Sequence, residues 1–287
     1  MQVGPYNIDV VETGCFALDG GSMFGVVPKV LWCKGNPSDD KNRIGMALRA
    51  LLIRGNGKNI LVDVGIGHKF SQKLADIYNV DHSFNTLENS LQTLSLSASN
   101  ITDVIVTHLH FDHCGGCTYH EGKELKPTFP NAKYWIQNKQ WEWGNNPTEK
   151  DRASFIDENF TSLKQWGCLE LTDGEFQFLP GIDILVTKGH TPGHQLVKIS
   201  DGKNTVVYAG DTVPMSAHVQ IPWNMAYDNE PLITMKEKRA ILQKAVEEDW
   251  IIIFEHDPFM IGATIACENE RFEIRNKLTT LVLPCRR

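Results

Sequence analysis

Three histidines and one aspartate fall within six consecutive positions, at His108, His110, Asp112 and His113. This H-x-H-x-D-H pattern follows a β-branched stretch, ITDVIVT, which predicts a strand with the histidines on the loop at its carboxyl end. On an extended or turning backbone, residues two apart can point the same way, so His108 and His110 can bind one ion while Asp112 and His113 face a second. Imidazole and carboxylate ligands without thiolate suit Zn, Mn, Fe or Co. The motif therefore favours a metal site over a solvated polar loop.

Further candidate ligands follow three other predicted strands. His194 stands in GHTPGH, Asp211 ends VVYAGD, and His256 ends IIIFEH. Loops at strand ends, held by a rigid sheet, commonly carry metal and catalytic groups. The recurrence of His and Asp at these positions favours ligation over the packed or surface role that a lone histidine usually has. We expect His190, four residues before His194, to brace a loop rather than to bind metal.

The hydrophobic pattern alternates strands with helices along the chain. MALRALLIR and NILVDVG are predicted to form a hairpin over the turn at 55–57, and leucines at 87, 91 and 94 predict a helix. Further helices are predicted over RASFIDENFTSLKQW and near 235–248, and further strands at AKYWIQ, FQFL, IDILVTKG, QLVKIS, TVVYAGD and WIIIFEH. Two packed sheets with helices outside is the simplest architecture. Because no linker or repeat interrupts the pattern, we expect a single domain over residues 1–287.

Charge and hydropathy argue against several classes of protein. Lysine and arginine number 28 against 35 aspartate and glutamate, a net charge of −7, so no basic stripe for nucleic acid is expected. No apolar run approaches the roughly 20 residues that cross a bilayer, and the amino terminus lacks a signal-peptide pattern. We therefore expect a cytoplasmic protein without a membrane partner.

The seven cysteines are odd in number and irregularly spaced, which predicts free thiols rather than a disulfide framework. Cys114 and Cys117 form a C-x-x-C directly behind the histidine motif. Packing under the Gly115-Gly116 turn is favoured there over redox chemistry, because a thioredoxin-like motif should open a helix in a different context.

Five motifs, taken together and in order, resemble those of the metallo-β-lactamase superfamily of hydrolases. They are Asp63 in ILVDVGIG, the H-x-H-x-D-H stretch, His194 in TPGH, Asp211 in AGDT, and His256. The resemblance runs from about residue 45 to residue 260. It implies an α/β protein (α+β layered) with the four-layer αββα sandwich, and two divalent metal ions: Zn first, with Mn, Fe or Co as alternatives.

Carried over position by position, the resemblance also implies a role for each residue. His108, His110 and His194 would bind the first metal; Asp112, His113 and His256 would bind the second; and Asp211 would bridge both. Asp63 would organise the metal loops rather than bind metal. A hydroxide shared by the two metals would be the nucleophile, and Asp112 would handle the proton of the leaving group. Asp112 and Asp211 are therefore the expected catalytic residues.

Some branches of the superfamily fit this sequence poorly. Thiol-ligated β-lactamases have Cys where Asp211 stands, and flavodiiron oxidoreductases generally have Glu at the position of His110. The remaining branches include glyoxalase II-like thioesterases, acyl-homoserine lactonases and methyl parathion hydrolases, and the stretches at 18–32 and 129–160 look most like the last two. Many of the lactonases have Tyr three residues after the bridging aspartate, where this chain has Pro214.

An apolar loop around 16–37 is predicted to roof the metal site. Phe16, Met23, Phe24 and Val26 would supply an apolar wall for the substrate; ordinary packing or a homodimer contact is the alternative. The predicted function is hydrolysis of a small, rather apolar ester, lactone or phosphotriester.

Two alternatives remain open. The first is a glyoxalase II-like thioester hydrolase, for which Lys277, Arg286 and Arg287 would be the basic residues. The second, from a different class, is a non-catalytic metal-binding or redox-sensing protein.

Overall fold

The computed structural model describes residues 1–279, which form two compact units. Unit 1 comprises Met1–Gly14, Leu48–Glu175 and Gly193–Gln195; unit 2 comprises Cys15–Ala47, Phe176–Pro192 and the described chain from Leu196 onward. Within the described residues the strands are β1 (Gln2–Val3), β2 (Tyr6–Asp19), β3 (Arg43–Gly55), β4 (Lys58–Val62), β5 (Asp103–Ile105), β6 (Thr118–Glu121), β7 (Glu124–Pro127), β8 (Lys133–Gln137), β9 (Leu169–Thr172), β10 (Phe176–Leu179), β11 (Ile182–Thr187), β12 (His194–Ser200), β13 (Thr205–Tyr208), β14 (Ile251–Ile253), β15 (Gly262–Glu268) and β16 (Arg271–Leu278). The expected single domain stays a prediction.

Most of the helices are short. They are α1 (Gly20–Phe24), α2 (Lys29–Trp32), α3 (Gln72–Tyr78), α4 (Leu87–Thr93), α5 (Phe111–Cys114), α6 (Asn138–Asn145), α7 (Ser162–Gln165) and α8 (Pro231–Glu247). Six 3-10 turns complete the set, at Ala98–Asn100, Gly115–Cys117, Arg152–Ser154, Asp157–Asn159, Gly210–Thr212 and Ser216–Val219. Among the residues described, no helix has both the length and the apolar character needed to cross a membrane.

Two seven-stranded sheets confirm the predicted mixed α/β class. The first has the order β1-β2-β3-β4-β5-β8-β9, and the second runs β10 to β16 in sequence order. The predicted hairpin is β3–β4, paired antiparallel around a turn in which Asn56 and Gly57 both have positive φ, at 50° and 74°. Such a two-residue turn matches the twist of the flanking strands. Strands β4, β5, β8 and β9 then run parallel, so the carboxyl ends of β4 and β5 meet at one edge of the sheet.

Each unit has its own hydrophobic core. In unit 1, side chains of β3, β4, β5 and β8 pack with Leu87 and Leu91 of α4, the helix that the leucine spacing predicted. In unit 2, Ile241 and Leu242 of α8 pack with strand residues and Trp250. Helix α8 buries positions 234, 238, 241, 242 and 245, which form one face at helical spacing. It begins at Pro231, a favoured first helical residue because its missing N–H would be unbonded there.

The structure corrects three local predictions. The segment 152–166, predicted as one helix, is two 3-10 turns followed by the four-residue α7. Serine, aspartate, asparagine and threonine recur through it, and their side chains favour caps and turns over helix interiors. The roof loop around 16–37 contains the end of β2 and helices α1 and α2. Free thiols are found at Cys33, Cys114, Cys117, Cys168 and Cys267, whereas Cys15 is disulfide-bonded, a pairing that spacing alone does not reveal.

Candidate metal centre

Asp63 ties the end of β4 to the histidine motif of unit 1. It is fully buried, has a φ of 56°, and accepts hydrogen bonds from the backbone N–H and the hydroxyl of Thr107, both at 2.7 Å. Its Oδ2 also lies 3.1 Å from Nδ1 of His113. A carboxylate on one imidazole nitrogen fixes the tautomer, so Nε2 of His113 presents its lone pair. Asp63 thus orients the loop, the role that the superfamily resemblance implied for it.

The imidazoles of unit 1 are buried and close together. Ring centroids of His108 lie 4.3 Å from His110 and 4.0 Å from His113. His108 Nε2 and His110 Nδ1 share a hydrogen bond of 2.9 Å, and His108 Nδ1 lies 3.0 Å from the Thr107 hydroxyl. Asp112 Oδ2 is 3.8 Å from His113 Nε2. Converging, buried nitrogen and carboxylate atoms of this kind are the donor set of a borderline metal such as Zn.

Two glycines explain how the motif turns back against β4. A Cβ at Gly115 would lie 2.1 Å from the carbonyl oxygen of Ile66, and one at Gly116 would lie 2.4 Å from that of Val64. Two backbone hydrogen bonds hold the motif against the segment after β4. Gly116 N–H donates to Gly65 O, 3.0 Å, and Val64 N–H donates to His113 O, 3.0 Å. Only glycine fits at these two positions without displacing the backbone that carries His113.

In unit 2, Asp211 lies between two histidines. Its Oδ2 is 3.2 Å from Nε2 of His190, and its Oδ1 is 3.2 Å from Nε2 of His256. The opposite nitrogen of each ring is also held: Nδ1 of His190 lies 2.9 Å from Oδ1 of Asp228, and Nδ1 of His256 lies 3.0 Å from the Ala47 carbonyl oxygen. Both rings therefore direct Nε2 at the same carboxylate.

The electrostatics of His190 follow from these contacts. Burial opposes a positive charge on the ring, but the carboxylates of Asp211 and Asp228 outweigh burial and raise the pKa to about 9. A divalent cation can replace that proton between the same groups, because both neutralise the carboxylates.

The structure separates the two histidines of GHTPGH. His194 is the first residue of β12, is fully buried, and lies with its ring centroid 5.0 Å from that of His108 within unit 1. Among the described residues, several His, Asp and Glu side chains form groups of three or more whose ligand atoms all lie within 4.8 Å of one another. His194 is not in any of these groups. His190 does belong to such a group, as does Asp211. The sequence analysis expected His194 to bind metal and His190 to brace a loop, and both roles stay predictions.

The predicted substrate wall is largely packed within unit 2. Phe16 and Met23 are 1% exposed and Phe24 is fully buried. Phe24 stacks on His218 at 5.1 Å between ring centroids, and Phe16 lies 5.4 Å from the ring of His256. Val26, in contrast, is 89% exposed. Phe16 is therefore the member of the predicted wall that contacts a candidate ligand.

The C-x-x-C thiols lie in the core of unit 1. Cys114 and Cys117 are fully buried, and burial raises the pKa of Cys114 to about 12 and that of Cys117 well above its ordinary value. A thiol that resists ionisation is a poor nucleophile and a poor redox sensor. The packing interpretation fits these surroundings.

The sequence profile of the Metallo-beta-lactamase superfamily matches residues 49–256, well over half of the chain. The chain belongs to the metallo-beta-lactamase superfamily. The match begins within β3 and ends at His256, three residues after β14, and it includes all seven residues predicted as ligands. The layered α/β fold expected of the superfamily is thereby confirmed.

Similar proteins are described as hydrolases. A probable metal-dependent hydrolase from Staphylococcus aureus is 28% identical, with a TM-score of 0.90 over 99% of this chain and 100% of that one. A dizinc quorum-quenching lactonase, solved in complex with a product, shares the fold at 21% identity, with a TM-score of 0.80 over 98% of this chain and 97% of that one.

An N-acyl homoserine lactonase of Bacillus cereus is 24% identical over 170 residues, which cover 58% of this chain. The match spans 60% of that relative's length.

Basic residues for the thioester alternative are sparse. Lys277 is exposed on β16, while Arg286 and Arg287 lie outside the described residues. Pro214, where many lactonases carry tyrosine, accepts a hydrogen bond from His256 N–H at its carbonyl oxygen, 2.9 Å. This contact ties the segment after Asp211 to His256 inside unit 2.

Proposed function

We propose that this protein is a hydrolase that depends on two divalent metal ions, with Zn preferred over Mn, Fe or Co. Its substrate would be a small, rather apolar ester, lactone or phosphotriester. The observation that carries the proposal is the buried placement of His and Asp ligand atoms in a chain of the metallo-beta-lactamase superfamily. Three of the imidazoles, those of His113, His190 and His256, are supported at Nδ1 by an oxygen acceptor. Buried groups of this type are retained where a metal repays their desolvation.

The proposed ligands follow the sequence prediction with one change. His108, His110 and His190 would hold the first ion, with His190 in the place assigned to His194. Asp112, His113 and His256 would hold the second, and Asp211 would bridge. The change is supported by the contact of His190 Nε2 with Asp211, 3.2 Å, and by the hydrogen bond of its Nδ1 with Asp228, 2.9 Å.

Divalent ions bound by these residues would lower the pKa of a water towards neutrality and polarise the substrate's carbonyl or phosphoryl oxygen. The protein's own residues prepare the site for this. Asp63 holds the Nδ1 proton of His113, Asp228 holds that of His190, and the Ala47 carbonyl oxygen holds that of His256. Each ring is thus neutral at Nε2 when it binds. Asp112, 6% exposed, would accept a proton and pass it to the leaving group.

The substrate class is proposed from the relatives and from the surroundings of His256. Two of the similar proteins are described as lactonases, which open a cyclic ester. The ring of Phe16 beside His256 provides an apolar contact in unit 2. Since no basic cluster for a glutathione carboxylate is seen in the described residues, the lactone or ester is preferred to the thioester.

The test is a set of initial hydrolysis rates for protein loaded with Zn or with Mn. The substrates are a long-chain acyl-homoserine lactone, an aryl ester, a phosphotriester and a glutathione thioester. We expect turnover of the lactone, the ester or the triester. Asp211→Asn should lower it by about 100-fold or more, because a bridging ligand should matter at least as much to metal binding as a supporting partner, whose loss costs about 10–100-fold in affinity. Asp173→Asn, an exposed carboxylate, is the matched control and should keep full activity.

Turnover of the thioester alone would overturn the substrate class and keep the metal centre. Metal binding without any turnover would instead support the non-catalytic alternative.

A further inference from the structure

A cavity of about 370 Å³ lies within unit 1, apart from the candidate ligands. Its volume falls within the range of small-molecule sites. The wall includes the loop after Asp63, the start of α4 and the β6–β7 hairpin, and none of its residues is a proposed metal ligand. Val64 and Leu87 give it an apolar side.

Lys69 is the sole lysine or arginine in the wall of this cavity. Its Nζ donates to the carbonyl oxygens of Gly115 and, at 2.7 Å, of Thr118. No carboxylate lies within ion-pair distance of this ammonium in the described structure. Burial lowers the pKa of Lys69, because the ammonium has lost water there and the more distant charge of Glu158 only partly opposes the shift. An ammonium has three N–H donors, so one remains after the two carbonyl contacts.

Two further donors face the cavity. The ring nitrogens of His82 and the hydroxyl of Thr128 make no hydrogen bond with residues 1–279, yet both side chains line the wall. The ring of His82 packs on Gly14, where an added Cβ would meet its Cδ2 at 2.6 Å, and its centroid lies 4.6 Å from that of His68. Burial lowers the pKa of His82, so the ring is neutral near pH 7 and carries one N–H.

The carboxylate in the wall already has a partner. Glu88 Oε2 lies 3.5 Å from Nε2 of His68. The hydrogen bond from His68 lowers the pKa of Glu88 to about 2, and Glu88 in turn raises the pKa of His68. Glu88 is therefore engaged by His68, and Lys69 has no direct ion-pair partner in the described part of the wall.

We propose that this cavity binds a small organic anion, whose carboxylate or phosphate group accepts hydrogen bonds from Lys69, His82 and Thr128 while its apolar part lies against Val64 and Leu87. Three available donors, one of them the ammonium of Lys69, match an anion, which accepts several hydrogen bonds at once. The site is separate from the proposed hydrolase chemistry and does not depend on it.

The test is calorimetric titration of the Zn-loaded protein with hexanoate, with inorganic phosphate and with neutral hexanamide. The first two probes distinguish a carboxylate from a phosphate, and the amide tests the need for charge. Because both anions can also bind a metal, the decision rests on variants of the cavity. Lys69→Met keeps the apolar stem and removes the charge, and Lys73→Met, an exposed lysine on α3, is the matched control.

We expect hexanoate or phosphate to bind. Lys69→Met should weaken that binding about tenfold or more, because it removes one charge-assisted hydrogen bond. Lys73→Met should leave the binding unchanged. Thr128→Val, which keeps the side-chain shape, should weaken anion binding about threefold. If Lys69→Met does not fold, the result for Thr128→Val tests the proposal instead. Binding of equal strength in Lys69→Met and Thr128→Val, or no binding of either anion to the unmodified protein, would overturn the proposal.

Discussion

Each supported imidazole of the candidate centre has two fixed nitrogens. In His113, His190 and His256, Nδ1 meets an oxygen acceptor at 2.9 to 3.1 Å while Nε2 faces a carboxylate. Such partners fix the ring orientation and the tautomer, and losing one typically costs about 10–100-fold in metal affinity. These contacts support the proposed ligand roles of the three histidines.

The choice between His190 and His194 is testable by metal content. We expect His190→Ala to lose metal affinity by more than the roughly 10–100-fold that loss of a supporting partner costs, because it removes a nitrogen that contacts Asp211 directly. His194→Ala should retain its metal. The measurement is bound Zn per chain by mass spectrometry after dialysis against a competing chelator. Retention in His190→Ala with loss in His194→Ala would restore the assignment made from sequence.

The turn behind the histidine motif leads to a stability prediction. Gly115→Ala should lower the free energy of unfolding by about 1–3 kcal/mol, the usual cost of overpacking, because the new methyl group would meet the Ile66 carbonyl oxygen. Urea denaturation of the purified variants measures it. Gly35→Ala, where a Cβ would meet nothing within 4 Å, is the control and should change stability by less than about 0.5 kcal/mol. Equal stabilities would contradict the close approach described here.

At the scale of elements, local sequence patterns predicted the secondary structure correctly where neighbouring residues determine the backbone conformation. The residues Asn56 and Gly57 predict the turn of the β3–β4 hairpin, because both residue types adopt positive φ readily. The β15–β16 hairpin was not predicted: its turn residues, Asn269 and Glu270, also have positive φ, 49° and 64°, but glutamate carries no such signal. Pairing across the sheet, rather than turn propensity, holds that hairpin.

Helix α8 contains a buried lysine that makes its stability depend on pH. Lys238 is 1% exposed and donates to the carbonyl oxygens of Gln220, 3.1 Å, and Trp223, 2.6 Å. Burial lowers its pKa to about 7, from an ordinary value of 10.5, although Asp228 opposes the shift. Between these values the unfolded chain binds a proton that the folded chain has released, so this group makes stability rise with pH across that window.

We therefore expect Lys238→Met to reduce the rise in the free energy of unfolding between pH 7 and about pH 10. Urea denaturation at several pH values measures the slope for each protein. Lys244→Met, an exposed lysine on the same helix, should keep the slope of the unmodified protein. If both variants show that same slope, Lys238 does not titrate in the folded state as described.

At the scale of the whole molecule, the sequence predicted the fold class and the regions that carry the site. The motif at 108–113 and the strand ends at Asp211 and His256 mark these regions, because their residue types have few uses other than ligation when they recur at strand ends. The sequence pattern alone does not fix which histidine of GHTPGH binds metal, since the backbone turns between them at Gly193, whose φ is 77°. Likewise Asp228 lies 38 residues from His190, and no local pattern joins the two.

Cytoplasmic location and a homodimer remain predictions, as does the part assigned to Met23, Phe24 and Val26 in binding substrate. Burial of Met23 and Phe24 shows that ordinary packing accounts for their apolar character. The central claim is narrower, namely that the His and Asp side chains of this chain hold two metal ions and that those ions are needed for hydrolysis.

The most direct test is a titration of Zn into the metal-free protein, with bound metal and acyl-homoserine lactone or aryl ester hydrolysis measured on the same samples. We predict no hydrolysis without metal, and a rate that rises to a plateau at about two ions per chain, with Asp211→Asn failing to reach it. Hydrolysis that is independent of added metal, or a chain that binds no Zn, would contradict the account.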